Sequence, residues 1–275
     1  MWTRITAPFY KILAWLRRRS TIVKALLAAA AALCAVATLK LTHFFVASEA
    51  IHFLGILVLI YKLTTLKTCS GLSLKAQELT ATFLASRLCC SFFMERDIHT
   101  VLDCLILVST LWIVYKMRFE LKSTYISKLD NMPLYYVIVP CAILAMLVHP
   151  RTYQGRPVRM LWAFAVYLES ISVLPQLKMI QNAKIIEPFT AHYVFALGIA
   201  RFLGCAHWII KVYKSSGRYL YLVGAGYIWF PMVLLAEIVQ TFILADFCYY
   251  YIKGLMDGRL IVYMPMHSHA SAHLV

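Results

Sequence analysis

A chain of 275 residues that is 62% hydrophobic and 14% charged, with a mean hydropathy of +0.73, has too few polar side chains to clothe a soluble globule of its length. It reads as an all-α integral membrane protein. The 27 Lys and Arg against 12 Asp and Glu give a net charge of +15, but they lie in short clusters between apolar runs, where basic residues set membrane topology; this argues against a nucleic-acid partner.

Crossing a bilayer as a helix takes about 17 to 25 predominantly apolar residues. Such runs fall near residues 22–39, 44–61, 75–93, 100–116, 133–149, 159–180, 190–212 and 219–251. The first follows Arg17-Arg18-Arg19 and is alanine-rich. It has two readings, a cleaved signal peptide ending near Ala35-Val36-Ala37 or a retained signal anchor. The absence of a clear polar break before Lys40 favours the anchor, making eight crossings. The last run exceeds one crossing, so its first part reads as a tilted or interfacial lead-in.

Basic residues then orient the chain. With the N-terminus in the cytosol, that side collects Arg17–Arg19, Lys62, Lys67, Lys75, Lys116, Arg118, Lys122, Lys128, Lys178, Lys184, Lys253 and Arg259, and the turn Met94-Glu95-Arg96-Asp97 is luminal. Residues 61–88 align without gaps on residues 175–202 at an offset of 114, pairing Lys62 with Gln176, Phe83 with Leu197 and Arg87 with Arg201. A repeat of this kind places a binding site near the bilayer midplane, between the halves.

Several polar residues interrupt the apolar runs. In the stretch 162–177, Glu169 and Gln176 should face other helices, because polar and ionisable groups are costly against lipid, and neighbouring helices or water must satisfy the carbonyl that Pro175 frees. Arg87 and Arg201 stay charged at any relevant pH and offer forked donors suited to a carboxylate. Two readings stay open for both: capture of an acidic ligand, or internal salt bridges with groups such as Glu169 and Asp246. His52 is placed to titrate between neutral and mildly acidic compartments, against the plainer reading of a hydrogen-bonded packing residue. His192 and His207 are weaker candidates, and His267, His269 and His273 read as a solvated tail. Trp162 and Trp208 suit either ligand stacking or anchoring at the membrane interface. The eight cysteines form no zinc or disulfide pattern, and nothing matches a nucleophile with its base, a phosphate-binding loop or an HExxH metal motif. The chain therefore reads as non-enzymatic, with no cofactor and no metal.

Four motifs carry a resemblance over residues 44–254. They are Cys69-Ser-Gly-Leu-Ser-Leu-Lys-Ala-Gln77, the stretch from Trp162 to Gln176, His192-Tyr-Val-Phe-Ala-Leu-Gly198, and Gln240-Thr through Asp246-Phe-Cys-Tyr249. In order and spacing they resemble the KDEL receptor family, and within it a divergent, mainly plant branch with eight spans. The resemblance implies a seven-helix core of the 3+1+3 type shared with SWEET and other PQ-loop proteins, over residues 43–254. The basic N-terminus and extra helix (1–42) precede that core and a short tail (255–275) follows it. It also implies a receptor in endoplasmic reticulum and Golgi membranes that binds the C-terminal retrieval signals of luminal proteins, with Arg87, Trp162, Glu169, Arg201, Trp208 and Lys211 lining the ligand cavity and His52 linking binding to pH.

The implied pocket departs from the family's at several positions. Phe45 and Lys211 stand where the family has arginines, Leu88, Ala200 and Gly204 where it has tyrosines, Cys90 where it has an aspartate and Arg159 where it has a glutamate. Neutral and cationic groups in place of acidic ones repel a signal lysine, so altered specificity is expected. The tail lacks the family's lysine-rich coat-recognition end, which leaves the vesicle-coat partner open. The alternatives are a transporter of a small anionic solute and a trafficking scaffold that binds no signal.

Overall fold

The computed structural model describes residues 44–94, 98–183, 186–214 and 228–256. The expected first span, the Glu95–Asp97 turn, the start of the last run and the histidine-bearing tail lie outside these residues. Within them the chain is all-helical. Its helices are α1 (Phe44–Tyr61), α2 (Leu74–Met94), α3 (Ile98–Tyr115), α4 (Tyr135–Leu147), α5 (Arg156–Ile171), α6 (Leu174–Asn182), α7 (Pro188–Lys214) and α8 (Trp229–Met256). Short π-helical turns extend α1 to Leu66 and α3 to Glu120.

Among the described residues, five stretches are long and apolar enough to cross a membrane: Phe44–Leu66, Thr100–Glu120, Arg156–Asn182, Pro188–Ile210 and Trp229–Met256. Helix α4 is apolar but shorter, and α2 is more polar because it carries Lys75, Glu78 and Arg87. Packing explains how α2 tolerates them: it lies against α3, α5 and α6, which take up its polar face.

Each half has the same internal order. Helix α3 packs on both α1 and α2, and α8 packs on both α5 and α7; across the halves α1 meets α7 and α2 meets α5, while α4 packs on α5. This is the arrangement expected of two three-helix bundles joined by a linking helix. One apolar core runs through both halves, from Ile56, Leu79, Phe83 and Ile113 to Leu168, Val194, Trp229 and Phe247.

The α5–α6 rod breaks at Ser172-Val173, because Pro175 at the start of α6 cannot donate to the ladder. The carbonyl groups near the break find side-chain donors instead. Ser172 Oγ donates to the Glu169 carbonyl at 3.0 Å, Ser170 Oγ to that of Tyr167 at 2.7 Å, and Gln240 Nε2 from α8 to that of Glu169 at 3.4 Å. The break thereby fixes the direction of Glu169 one turn before it.

The repeat shows in the contacts at the expected cytosolic end. Lys62, wholly buried, donates to Thr190 Oγ1 at 2.9 Å and pairs with Glu187 at 2.6 Å, at the start of α7. Gln176, its counterpart at offset 114, accepts from Ser73 N at 2.8 Å and donates to the Gly71 carbonyl at 2.9 Å, at the start of α2. Ser73 and Glu187 are themselves counterparts at that offset. Each half thus grips the entry to the second helix of the other. Gly71, at φ +76°, makes its turn in the left-handed region that glycine adopts without strain.

Candidate functional site: a buried arginine and carboxylate cluster

Arg87 lies seven residues before the end of α2 and Asp103 five residues after the start of α3, so both sit roughly 10 Å or less inside that end of the bundle. Arg87 Nε donates to Asp103 Oδ2 at 2.8 Å and Nη2 to Asp103 Oδ1 at 2.5 Å. Nη1 reaches both oxygens of Glu169 on α5, at 3.0 and 2.9 Å, and Nη2 also reaches Glu49 Oε1 on α1 at 3.2 Å. These contacts engage all three nitrogens of the Arg87 guanidinium. Arg201, from the equivalent place on α7, donates to Glu169 Oε1. Both guanidinium groups also lie over the Phe83 ring, at 5.6 and 5.8 Å from its centre.

The cluster is buried: the side chains of Arg87 and Arg201 are 14% and 10% exposed, and those of Glu49, Asp103 and Glu169 are 4%, 5% and 12% exposed. Three carboxyl groups thus share two guanidinium groups. A fourth, Glu237 on α8, lies within their electrostatic reach and is hydrogen-bonded by Trp208. Two groups are left unsatisfied: Glu49 Oε2 and His52 Nε2, both enclosed and without a hydrogen-bond partner. A narrow cavity of about 10 Å³, enough for one water, adjoins Glu169 and Arg201 and is lined also by Thr80, Gln176, Tyr193 and Gln240.

The sequence-predicted residues fall into two groups. Arg87, Glu169 and Arg201 come together, and His52 lies buried beside them, within reach of the charges of all three. Trp162 packs against the buried Trp229 at 5.5 Å, and Trp208 lies 6.5 Å from Phe230. Lys211 belongs to α7, but its side chain lies outside the described residues. The proposed salt-bridge partner Asp246 is corrected: it is exposed on α8, and the acidic partners are Glu169, Asp103 and Glu49. Sequence reasoning missed Glu49, Asp103 and Glu237. Each is an acidic residue inside an apolar run, the same signal that singled out Glu169.

Four of the positions that depart from the family's pattern can be placed. Phe45 packs against His207 with ring centres 5.8 Å apart and planes tilted by 54°, and the buried Cys90 points its thiol at the Val158 carbonyl, 3.6 Å away. The next residue, Arg159, is half-buried with Nε unpartnered. Gly204 has no side chain where a Cβ would stand 3.6 Å from Ser48 Oγ and 3.7 Å from Glu237 Oε2.

Residues 68–211 match the family model described as ER lumen protein retaining receptor. Among curated proteins, the chain is 33% identical over 224 residues to ER lumen protein-retaining receptor erd-2.2 of Caenorhabditis elegans, covering 81% of this chain and 99% of that protein. It is 32% identical to ER lumen protein-retaining receptor B of Arabidopsis thaliana, over 78% of this chain and 96% of the relative. The ER lumen protein-retaining receptor of Drosophila melanogaster is 30% identical, over 78% and 94%.

Proposed function

The chain belongs to the ER lumen protein retaining receptor family, and from that premise we propose that it is a non-enzymatic, multi-pass receptor of endoplasmic reticulum and Golgi membranes that binds carboxylate-bearing C-terminal signals of luminal proteins. Residues 43–254 form the receptor domain, following an extra N-terminal span within residues 1–42 and preceding the tail. The observation that carries this reading is the convergence of Arg87 and Arg201, one from each half, on Glu169 in the bundle interior. A site that already holds carboxylates against two guanidinium groups has the chemistry to exchange one of them for a ligand's. On the family resemblance we assign Trp162, Trp208 and Lys211 to the ligand site and His52, buried beside the cluster, to the pH-linked role.

Specificity follows from Cys90 and Arg159. With a thiol and a guanidinium at this part of α2 and α5, the pocket favours a neutral or acidic residue at the signal's fourth position from the end and disfavours lysine. Transport of a small anion is the weaker reading, since the Lys62–Glu187 and Gln176–Ser73 contacts tie the halves together at the opposite end.

The test is binding of the purified protein to tetrapeptides ending Lys-Asp-Glu-Leu or His-Asp-Glu-Leu, and to variants with a neutral or acidic first residue, against C-terminally amidated controls. It is run at pH about 5.5 and about 7.4, on either side of the ordinary histidine value. Carboxylate-dependent binding, stronger at the lower pH, is the expected result. Equal binding of free and amidated peptides overturns the proposal.

A further inference from the structure

We propose that Asp103 is a built-in competitor, holding the edge of Arg87 that a ligand carboxylate would otherwise take. The inference rests on the receptor reading above for what it competes with, but its geometry stands alone. Carboxylates bind guanidinium most favourably as a fork, two parallel N–H···O bonds along one edge. Asp103 makes that fork on the Nε–Nη2 edge of Arg87, at 2.8 and 2.5 Å. Nη1 and the second contact of Nη2 go to Glu169 and Glu49, so every nitrogen of Arg87 is already engaged by an internal carboxylate. A ligand must therefore displace an internal carboxylate, and Asp103 occupies the edge a ligand's carboxylate fits best.

The charges around the pair favour the exchange. Arg87 and Arg201 face Glu49 from α1, Asp103 from α3 and Glu169 from α5, with Glu237 of α8 nearby, so acidic groups outnumber the guanidinium groups in a buried space. Glu49 Oε2 already lacks a donor. Removing the charge of Asp103 lowers this excess, whereas Glu169 cannot be spared because it binds both arginines. An internal competitor lowers apparent affinity by the fraction of molecules in which the edge is free.

The experiment compares wild type, Asp103→Asn and Asp103→Asn/Arg87→Gln in the full-length protein, with thermal unfolding as a check on folding and Asp103→Ser as a second variant should the amide disturb packing. Two readouts are taken: affinity for the free-carboxylate tetrapeptides used above, and the rate at which phenylglyoxal, an arginine-selective dicarbonyl, modifies Arg87 as followed by mass spectrometry. An asparagine presents at most one acceptor to the edge, so Asp103→Asn should bind peptide about tenfold tighter if the edge is free in roughly a tenth of wild-type molecules. The gain should vanish in the double variant, and Arg87 should be modified faster. Unchanged modification overturns the inference, as does faster modification with unchanged affinity in a protein that binds. Faster modification without peptide binding by any variant upholds Asp103 as occupant of the edge and overturns the receptor reading instead.

Discussion

At the scale of single residues, the chemistry is decided by what each buried charge touches. Arg87 pairs with Asp103, Glu169 and Glu49 together, so Arg87→Ala strands several carboxyl groups away from water. Breaking a buried pair in this way costs about 3–5 kcal/mol. Thermal unfolding in detergent should show Arg87→Ala markedly less stable, with Arg87→Lys intermediate; an Arg87→Ala protein as stable as wild type would show that the cluster relaxes or hydrates freely. Arg159 is the residue on which the proposed specificity is tested. Replacing it by glutamate should move peptide preference toward a lysine at the fourth position from the end, and competition between peptides of opposite charge at that position measures it. Tyr125, in the loop before α4, donates to Asp130 Oδ2 at 2.7 Å, and burial, together with that bond, holds its phenol well above the ordinary tyrosine range. A raised value means that the bond's contribution is fully present below the unfolded value of about 10 and is lost only as pH rises through the folded one. Tyr125→Phe should therefore lower stability by about 1 kcal/mol, equally at pH 6 and pH 8.

At the scale of elements, the helices are joined by a few side chains at their ends and by close approach along their lengths. Ser73 begins α2 by accepting from Ala76 N, and its own hydroxyl donates to Asp130 while its backbone N–H donates to Gln176. Gln176→Leu would leave the Ser73 N–H and the Gly71 carbonyl without this partner, at about 1–3 kcal/mol for each buried group left unsatisfied. Hydrogen exchange should then rise at the start of α2 ahead of the bundle as a whole. Along α7 and α8 the critical contact is Gly198, where an added Cβ would overlap Cys248 Sγ. Gly198→Ala should destabilise by about 1–3 kcal/mol through overpacking, and Cys248→Ala should recover most of it in the double variant. Additive losses in that pair would place the strain elsewhere.

At the scale of the molecule, two halves with the same helix order contribute one arginine each to a shared carboxylate, while the π-helical turn after α1 and helix α6 carry the residues that hold the opposite half. The arginine and carboxylate cluster lies toward one end and the inter-half grip at the other. This division suits a receptor that opens to one side only. Reconstituted vesicles should accordingly bind signal peptide without net uptake of it, and peptide accumulating inside the vesicles would favour the transport reading.

The membrane class, the positions of the described helices and the burial of Glu169 and Gln176 were legible in the sequence, because a polar group inside an apolar run has few places to go. So was the pairing of Arg87 with Arg201, through the repeat. The motifs also identified the family, over a stretch that agrees with the match at residues 68–211. Tertiary structure decided which acids complete the site. Asp246 looked as eligible as Asp103 in one dimension, since each is an acidic residue in an apolar helix, yet one faces outward and the other the Arg87 guanidinium. That choice depends on the rotation of α3 and α8 against their neighbours, which packing of whole helix faces determines and which local spacing does not encode.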